Sequence, residues 1–179
     1  MKAMLRFCTV LLVVMTAWAA VLPMKDFNPE EMKGKWYMIG FANNAEWFSK
    51  HKATMKTGVS IINPTADGDL DVSTTNLKDD GSCWRMDYLA KKTETPGRFT
   101  FYVERWNCDH DMRVVEAKSD EYAILHVIKT KGGKTYMVNM LYARNTDLRD
   151  DLKSKFKKFS LETGILPENI LLLPPNGEC

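Results

Sequence analysis

Four cysteines and three histidines are the residues of this 179-residue chain best suited to chemistry. The cysteines stand at 8, 83, 108 and 179, and the histidines at 51, 110 and 126. A zinc site recruits its ligands in short pairs or clusters. His51, His110 and His126 give no i, i+4 pair and no Cys/His cluster, so no metal is expected. No Ser-His-Asp arrangement is signalled either. Cysteine sulfur remains, as a nucleophile or as a disulfide partner. Which of the two depends on compartment and fold.

The compartment is written at the N-terminus. Lys2 and Arg6 precede an apolar stretch from about Phe7 to Trp18, which ends in Ala17-Trp18-Ala19. This is the pattern of a secretory signal peptide over residues 1–19, leaving one domain over 20–179. About twelve apolar residues are too few to span a bilayer. No later segment is apolar for long enough, so no stable membrane insertion is expected. Cys8 leaves with the leader, and Cys83, Cys108 and Cys179 meet an oxidising environment. One disulfide and one spare thiol is the simplest outcome. Without Lys2 and Arg6 the 25 basic residues become 23, equal to the 23 acidic ones. A neutral mature chain argues against nucleic acid as a partner. The sole candidate glycosylation sequon, Asn63-Pro64-Thr65, is spoiled by its proline.

Between about 36 and 142 the hydrophobic pattern has period two. It predicts strands at 36–43, 55–63, 70–76, 83–91, 98–106, 112–117, 122–129 and 135–142. Asp67-Gly68, Asp80-Gly81, Pro96-Gly97 and Gly132-Gly133 fall between them and suit tight hairpins. Eight antiparallel strands of this spacing fit an all-β sandwich or a closed up-and-down barrel. Trp84, Met86, Tyr88 and Ala90 share a face, as do Phe99, Phe101 and Val103, and Tyr122, Ile124, His126 and Ile128. The opposite positions carry charges such as Arg85, Asp87 and Glu104. One amphipathic helix follows, with Leu148, Leu152, Phe156 and Phe159 on its apolar stripe. Aspartates open it and lysines fill it, complementing its dipole, and Gly164 and Pro167 end it. Its stripe must lie on the outside of the sheet.

Three motifs in this order resemble those of the lipocalins: Gly34-Lys35-Trp36-Tyr37 at the first strand, "SDEY" (119–122) and Arg144 in "LYARNTD". The placing of a cysteine on the fourth strand and another at the C-terminus agrees, and the match covers residues 28–179. The resemblance implies an eight-stranded antiparallel up-and-down barrel with a C-terminal helix packed outside. It also implies a secreted, extracellular product that holds a small lipophilic ligand, with Cys83 and Cys179 as the disulfide. Cys83–Cys108 stands as a competing pairing. Trp36 and Arg144 become structural, the cation lying over the ring at the closed end.

Within the family the chain resembles most the lipocalin-type prostaglandin D synthase branch, through "GFANNAEWFSKHKATM", "PTADGDLDVSTTNL" and the "LPENILLLP" tail. That branch isomerises an endoperoxide with a cysteine on the second strand. Gly58 stands at the matching position here. Ser60 and Thr74 match two supporting hydroxyls, and Met38 stands where a third would be. Glycine cannot act as the nucleophile, so no catalytic residue and no cofactor are expected. Cys108, in the connection after strand five, is expected as an exposed or half-buried free thiol. A monomer is expected, with a Cys108-linked dimer as the oligomer this thiol would support.

The expected ligand wall is Met38, Gly40, Gly58, Ser60, Thr74, Met86, Tyr88, Phe99, Phe101, Met112, His126, Tyr136, Val138 and Met140. Methionines there are adaptable fillers, and the small residues Gly40, Ala42, Gly58, Ser60 and Ala90 leave room. No charged residue is placed inward, so a ligand carboxylate would sit at the mouth near Lys50, Lys52 or Arg105. Three functions follow: carriage of a retinoid, fatty acid, bile pigment or similar molecule; prostaglandin-H2 D-isomerase activity; or extracellular defence or recognition through the mouth or Cys108.

Overall fold

The computed structural model describes residues 20–179. The expected leader, residues 1–19, lies outside the described residues. Eight strands form the barrel: β1 (Gly34–Asn43), β2 (Val59–Pro64), β3 (Leu70–Leu77), β4 (Cys83–Lys92), β5 (Arg98–Val103), β6 (Cys108–Lys118), β7 (Tyr122–Lys131) and β8 (Lys134–Ala143). Each is antiparallel to its neighbour, and β1 pairs with both β8 and β2, which closes the wall. A ninth strand, β9 (Ile170–Leu172), adds to the upper part of β1. The helix α1 (Glu46–His51) lies in the long β1–β2 connection at the mouth, and α2 (Asp150–Glu162) packs outside.

Two apolar clusters follow from this geometry. The inner one fills the barrel with Trp36, Phe41, Val72, Phe99, Met112, Leu125, Val127 and Val138 among others. The outer one lies between α2 and strands β1, β7 and β8, and includes Ile39, Ala42, Ile124, Leu141, Leu152 and Phe156. Strands β7 and β8 are therefore buried on both faces. That removes the wet side from which alternation is normally read. The helix is held further by Lys155 Nζ, 2.5 Å from Glu116 Oε1 and 3.1 Å from the Tyr122 hydroxyl.

Three strand boundaries differ by three residues or more from the sequence reading, the first being β2, which begins at Val59 and not at Met55, after the 3-10 turn Lys52–Thr54. Strand β6 begins at Cys108, not Met112, because Asp109 and Asp111 point to solvent while Cys108 and His110 point inward. Outward aspartates disguise a strand as a loop. Strand β5 ends at Val103, followed by a 3-10 turn (Glu104–Trp106) and by Asn107 at φ 47°. This left-handed residue turns the chain into β6.

Candidate functional site

The closed end is built first by the sequence and sets how deep the barrel can be entered. Pro29–Met32 forms a 3-10 turn beneath the wall, started by Asn28, whose Oδ1 accepts the Glu30 N–H at 3.1 Å. Trp36 is fully buried above it and donates from Nε1 to the Met32 carbonyl at 2.7 Å. The Arg144 guanidinium carbon lies 3.6 Å from the Trp36 ring centroid. Its three nitrogens donate to the carbonyls of Ser119, Lys35 and Lys33, each at 2.7 Å. Phe99 meets Phe27 edge-on at 5.8 Å, and Met112 is 2% exposed. Both therefore sit in the packed base.

Above this floor the inward side chains keep some accessible surface. Met38, Met55, Tyr88, Phe101 and Met140 pack against the inner cluster while remaining only partly buried. Met86 and Tyr136 occupy inward positions on β4 and β8, by alternation with Tyr88 and with Val138. The ladder between β4 and β5 is confined to Lys91–Lys92 against Thr100–Phe99. Higher up, rings join the wall instead: Tyr88 stacks on Phe101 at 4.2 Å and Phe101 on His110 at 4.5 Å. Trp106 faces Trp84 at 6.4 Å and lies under Lys129 Nζ at 5.3 Å. A groove of about 620 Å³ is lined by the outward-facing Leu89, Tyr102, Asp111 and Ile128 and also by Phe101 and His110 of this stack.

A polar cluster crosses the lower wall. Ser60 Oγ and Thr74 Oγ1 are 2.9 Å apart, and Ser60 donates to the Tyr142 hydroxyl at 3.4 Å. Burial raises the pKa of Tyr142 above the ordinary phenol range, so it stays a neutral donor. Gly58, one inward step above Ser60, accepts the Met38 N–H at 3.0 Å. A Cβ there would lie 3.0 Å from the Thr75 carbonyl oxygen and 3.2 Å from Asn76 Nδ2. Asn76 itself donates to the Lys56 carbonyl at 3.1 Å. A side chain at 58 would thus be held tightly against β3.

Two residues expected on the ligand wall face the other way. Gly40 is outward because β1 carries an extra residue between Met38 and Gly40, so Met38 pairs with Tyr142 and Gly40 with Leu141. A Cβ on Gly40 would meet the Phe156 ring at 2.7 Å, so this glycine lets α2 approach the sheet. Ala42 follows it to the outside. His126 is also outward, edge-on to Phe159 at 6.4 Å. Its Nδ1 lies 2.7 Å from Asn139 Oδ1, while Asn139 Nδ2 donates to Ser160 Oγ and Thr163 Oγ1. Asn139 uses both donors on hydroxyls, so His126 Nδ1 carries the proton.

Cysteine and charge placement also depart from expectation. Cys83 and Cys179 are bonded, with Cα atoms 5.8 Å apart, which removes the Cys83–Cys108 alternative. Cys108 is free and only 5% exposed, on β6 itself and not in the connection before it. Burial raises its thiol pKa, opposed by the charge of Lys129. Lys129 is the inward cation that the sequence reading missed: it continues the inward row of Leu125 and Val127. Burial lowers its pKa, and among the described residues it has no carboxylate partner. By contrast, Lys50 pairs with Glu46, and Lys52 bonds the Glu168 carbonyl.

The buried histidines make stability depend on pH. His110 is 4% exposed, and burial first, then Lys129, lowers its pKa from 6.5 to about 4. His126 is lowered too, chiefly by burial. Below pH 6.5 the unfolded chain takes up protons that the folded one refuses, so stability falls as pH drops from 6.5 towards 4. His110 alone is expected to cost about 3 kcal/mol across that window. Urea unfolding at pH 7 and pH 4.5 checks this, and His110→Phe should flatten the difference. An unchanged pH dependence in that variant would refute the assignment.

Comparison with known proteins agrees with this architecture. A model described as the lipocalin / cytosolic fatty-acid binding protein family matches residues 33–176. A protein of Rhinella marina named "Lipocalin" is 40% identical, over 98% of this chain and 95% of its own length. A Felis catus protein named "Prostaglandin-H2 D-isomerase" is 33% identical, over 91% of this chain and 85% of its own. Among solved structures, one reported as "The Siderocalin Ex-FABP functions through dual ligand specificities" superposes with a TM-score of 0.72 at 25% identity. It covers 83% of this chain and 99% of that one.

Proposed function

We propose, for a chain that belongs to the lipocalin family, that the protein is secreted and carries one small lipophilic molecule inside its barrel without converting it. The observation that carries this reading is the inner wall above the floor. Met38, Tyr88, Phe101 and Met140 point inward yet stay partly accessible. Adaptable thioethers and stacked rings of this kind suit an apolar guest. Burying ten methylenes stabilises a guest by about 8 kcal/mol before entropic costs, which corresponds to roughly micromolar binding or weaker. Retinoids, fatty acids, bile pigments and steroids all fit that class.

Trp36 and Trp106 report on the interior, so quenching of tryptophan emission by retinoic acid or bilirubin tests the reading. A dissociation constant below about 10 µM is expected for at least one lipophile in such a panel. If none reaches it, the carrier reading falls. Native mass spectrometry of protein from its own source would give the mass of the ligand and the state of Cys108.

Isomerisation of a prostaglandin endoperoxide is the second reading, favoured by the relatives' name and by the hydroxyls of Ser60 and Thr74. It needs a thiolate at the reacting peroxide. Position 58 offers no sulfur, and burial holds the Cys108 thiol protonated. The protein is therefore expected to form no prostaglandin D2. Product formation that a thiol-blocking reagent abolishes would replace the carrier reading with this one.

A further inference from the structure

Lys129 stands on one level of the wall with three rings. The ladders place it between His110 on β6 and Tyr136 on β8, and His110 beside Phe101 on β5. Its ammonium lies 5.3 Å over the Trp106 ring, and Val127 and Leu125 continue its inward row downwards. The carboxylates nearest it on β6, Asp109 and Asp111, point outward, and Asp111 is taken by Arg98 and Arg113. Cys108 beside it is a thiol held protonated by burial, and His110, with its pKa lowered to about 4, is neutral at pH 7. The ammonium is thus left without a counter-ion among the described residues, and burial lowers its pKa. A charge held among rings in this way is costly, and the contact with Trp106 offsets that only in part. A lysine so placed gains by shedding its charge, and its free amine is a nucleophile. Lys129 is inward yet only half-buried, which leaves it within reach of a guest in the lumen.

Building on the carrier reading, we propose that Lys129 is a covalent attachment site for a lipophilic aldehyde, which it holds as an imine. The ammonium gives its proton to water in the lumen, and the amine nitrogen uses its freed lone pair to bond the carbonyl carbon. The carbonyl electron pair moves to oxygen, which takes up a proton. The carbinolamine then loses water as the C=N bond forms. One aldehyde and one amine become one imine and one water, with no change in oxidation state. The neutral imine leaves no charge where there is no counter-ion, whereas an alcohol of the same chain leaves the ammonium as it was. The guest's chain runs past Phe101 and Tyr88, the stacked inward rings that stay partly accessible.

The test incubates the protein with limiting dodecanal and sodium cyanoborohydride, whose hydride turns an imine into a stable secondary amine. Peptide mass spectrometry then maps the alkyl group. A saturated aldehyde is used so that conjugate addition to Cys108 cannot compete. One dodecyl group on Lys129 is expected, gained about tenfold or more faster than by any surface lysine, because a bound aldehyde is held at the amine. Lys129→Arg keeps the cation and Lys129→Met keeps the stem, and both should abolish the fast adduct. Dodecanol cannot condense, so by tryptophan quenching it should bind all three proteins within about threefold, reporting an intact pocket. The map of the wild type is decisive by itself, so the proposal does not depend on a variant folding. Label spread evenly over the surface lysines, or undiminished in both variants, overturns the attachment site and leaves the carrier reading standing. Failure of dodecanal and dodecanol alike to bind overturns both.

Discussion

Trp36→Ala is expected to lower the unfolding free energy by about 3–5 kcal/mol, the range for removing a large aromatic from a packed interior. The indole is fully buried, so the whole ring volume would become cavity. The Met32 carbonyl would lose the Nε1–H donor at 2.7 Å, and Arg144 would lose the ring that it covers at 3.6 Å. A cation over indole contributes about 0.5–2 kcal/mol. The site has little freedom to collapse, because Arg144 is pinned by three carbonyls and the 3-10 turn lies directly below. In thermal unfolding the loss corresponds to roughly 10 °C for a domain of this size. Trp36→Phe keeps a ring for Arg144 to cover and forfeits the hydrogen bond, so it should cost about 1–2 kcal/mol. A loss below about 1 kcal/mol for the alanine variant would show that the floor is held by something other than this ring.

The same floor was legible in the sequence, because Gly-x-Trp and the distant Arg144 are paired by the resemblance. Legibility ended where a wall has two dry sides. Strand β7 reads Tyr-Ala-Ile-Leu-His-Val-Ile, apolar in both registers, so alternation marks two faces without saying which one looks inward. On the sequence reading that strand points His126 inward, whereas the structure turns His126 outward against Phe159 and continues the inward row of Leu125 and Val127 to Lys129. Gly40 and Ala42 went astray for a different reason. A single extra residue in β1 reverses every later side chain, and nothing in Gly-Phe-Ala announces it. Cys108 and His110 were hidden by the solvent-facing Asp109 and Asp111, which lend the start of β6 the polarity of a loop. Asn43 Nδ2 is buried without a hydrogen-bond partner among the described residues, and no sequence signal marks it.

These corrections redistribute the chemistry of the barrel. With Gly40 and His126 outside, the upper wall loses room and one polar group on the sequence reading, and gains Lys129, Asn43 and His110. The lower wall keeps Ser60, Thr74 and Tyr142 as a closed set of hydroxyls that satisfy one another. A group that bonds its own neighbours has less to offer a guest than one left unpaired.

Replacing both Cys83 and Cys179 by serine is expected to lower stability by about 4–5 kcal/mol, through the unfolded chain. The bond spans 96 positions, and the loop-entropy relation assigns about that much to a closed loop of roughly 100 residues. The folded state should barely change, because the tail has other anchors. The Leu173 N–H donates to the Ile39 carbonyl at 2.8 Å, and the Thr57 N–H to that of Pro174 at 3.0 Å. Asn176 Nδ2 donates to the Leu77 carbonyl at 2.8 Å, and the Tyr37 hydroxyl to Glu178 at 2.7 Å. Ligand affinity should accordingly survive in the double variant while the urea midpoint falls, and the m value should rise as the unfolded chain expands. Cys108, buried on the inner face, offers the tail no substitute partner. If ligand binding is lost together with the midpoint, the disulfide holds the mouth in shape as well as the chain. If the midpoint holds within about 1 kcal/mol, the tail's own hydrogen bonds already confine the unfolded ensemble, and the loop-entropy relation does not describe this protein.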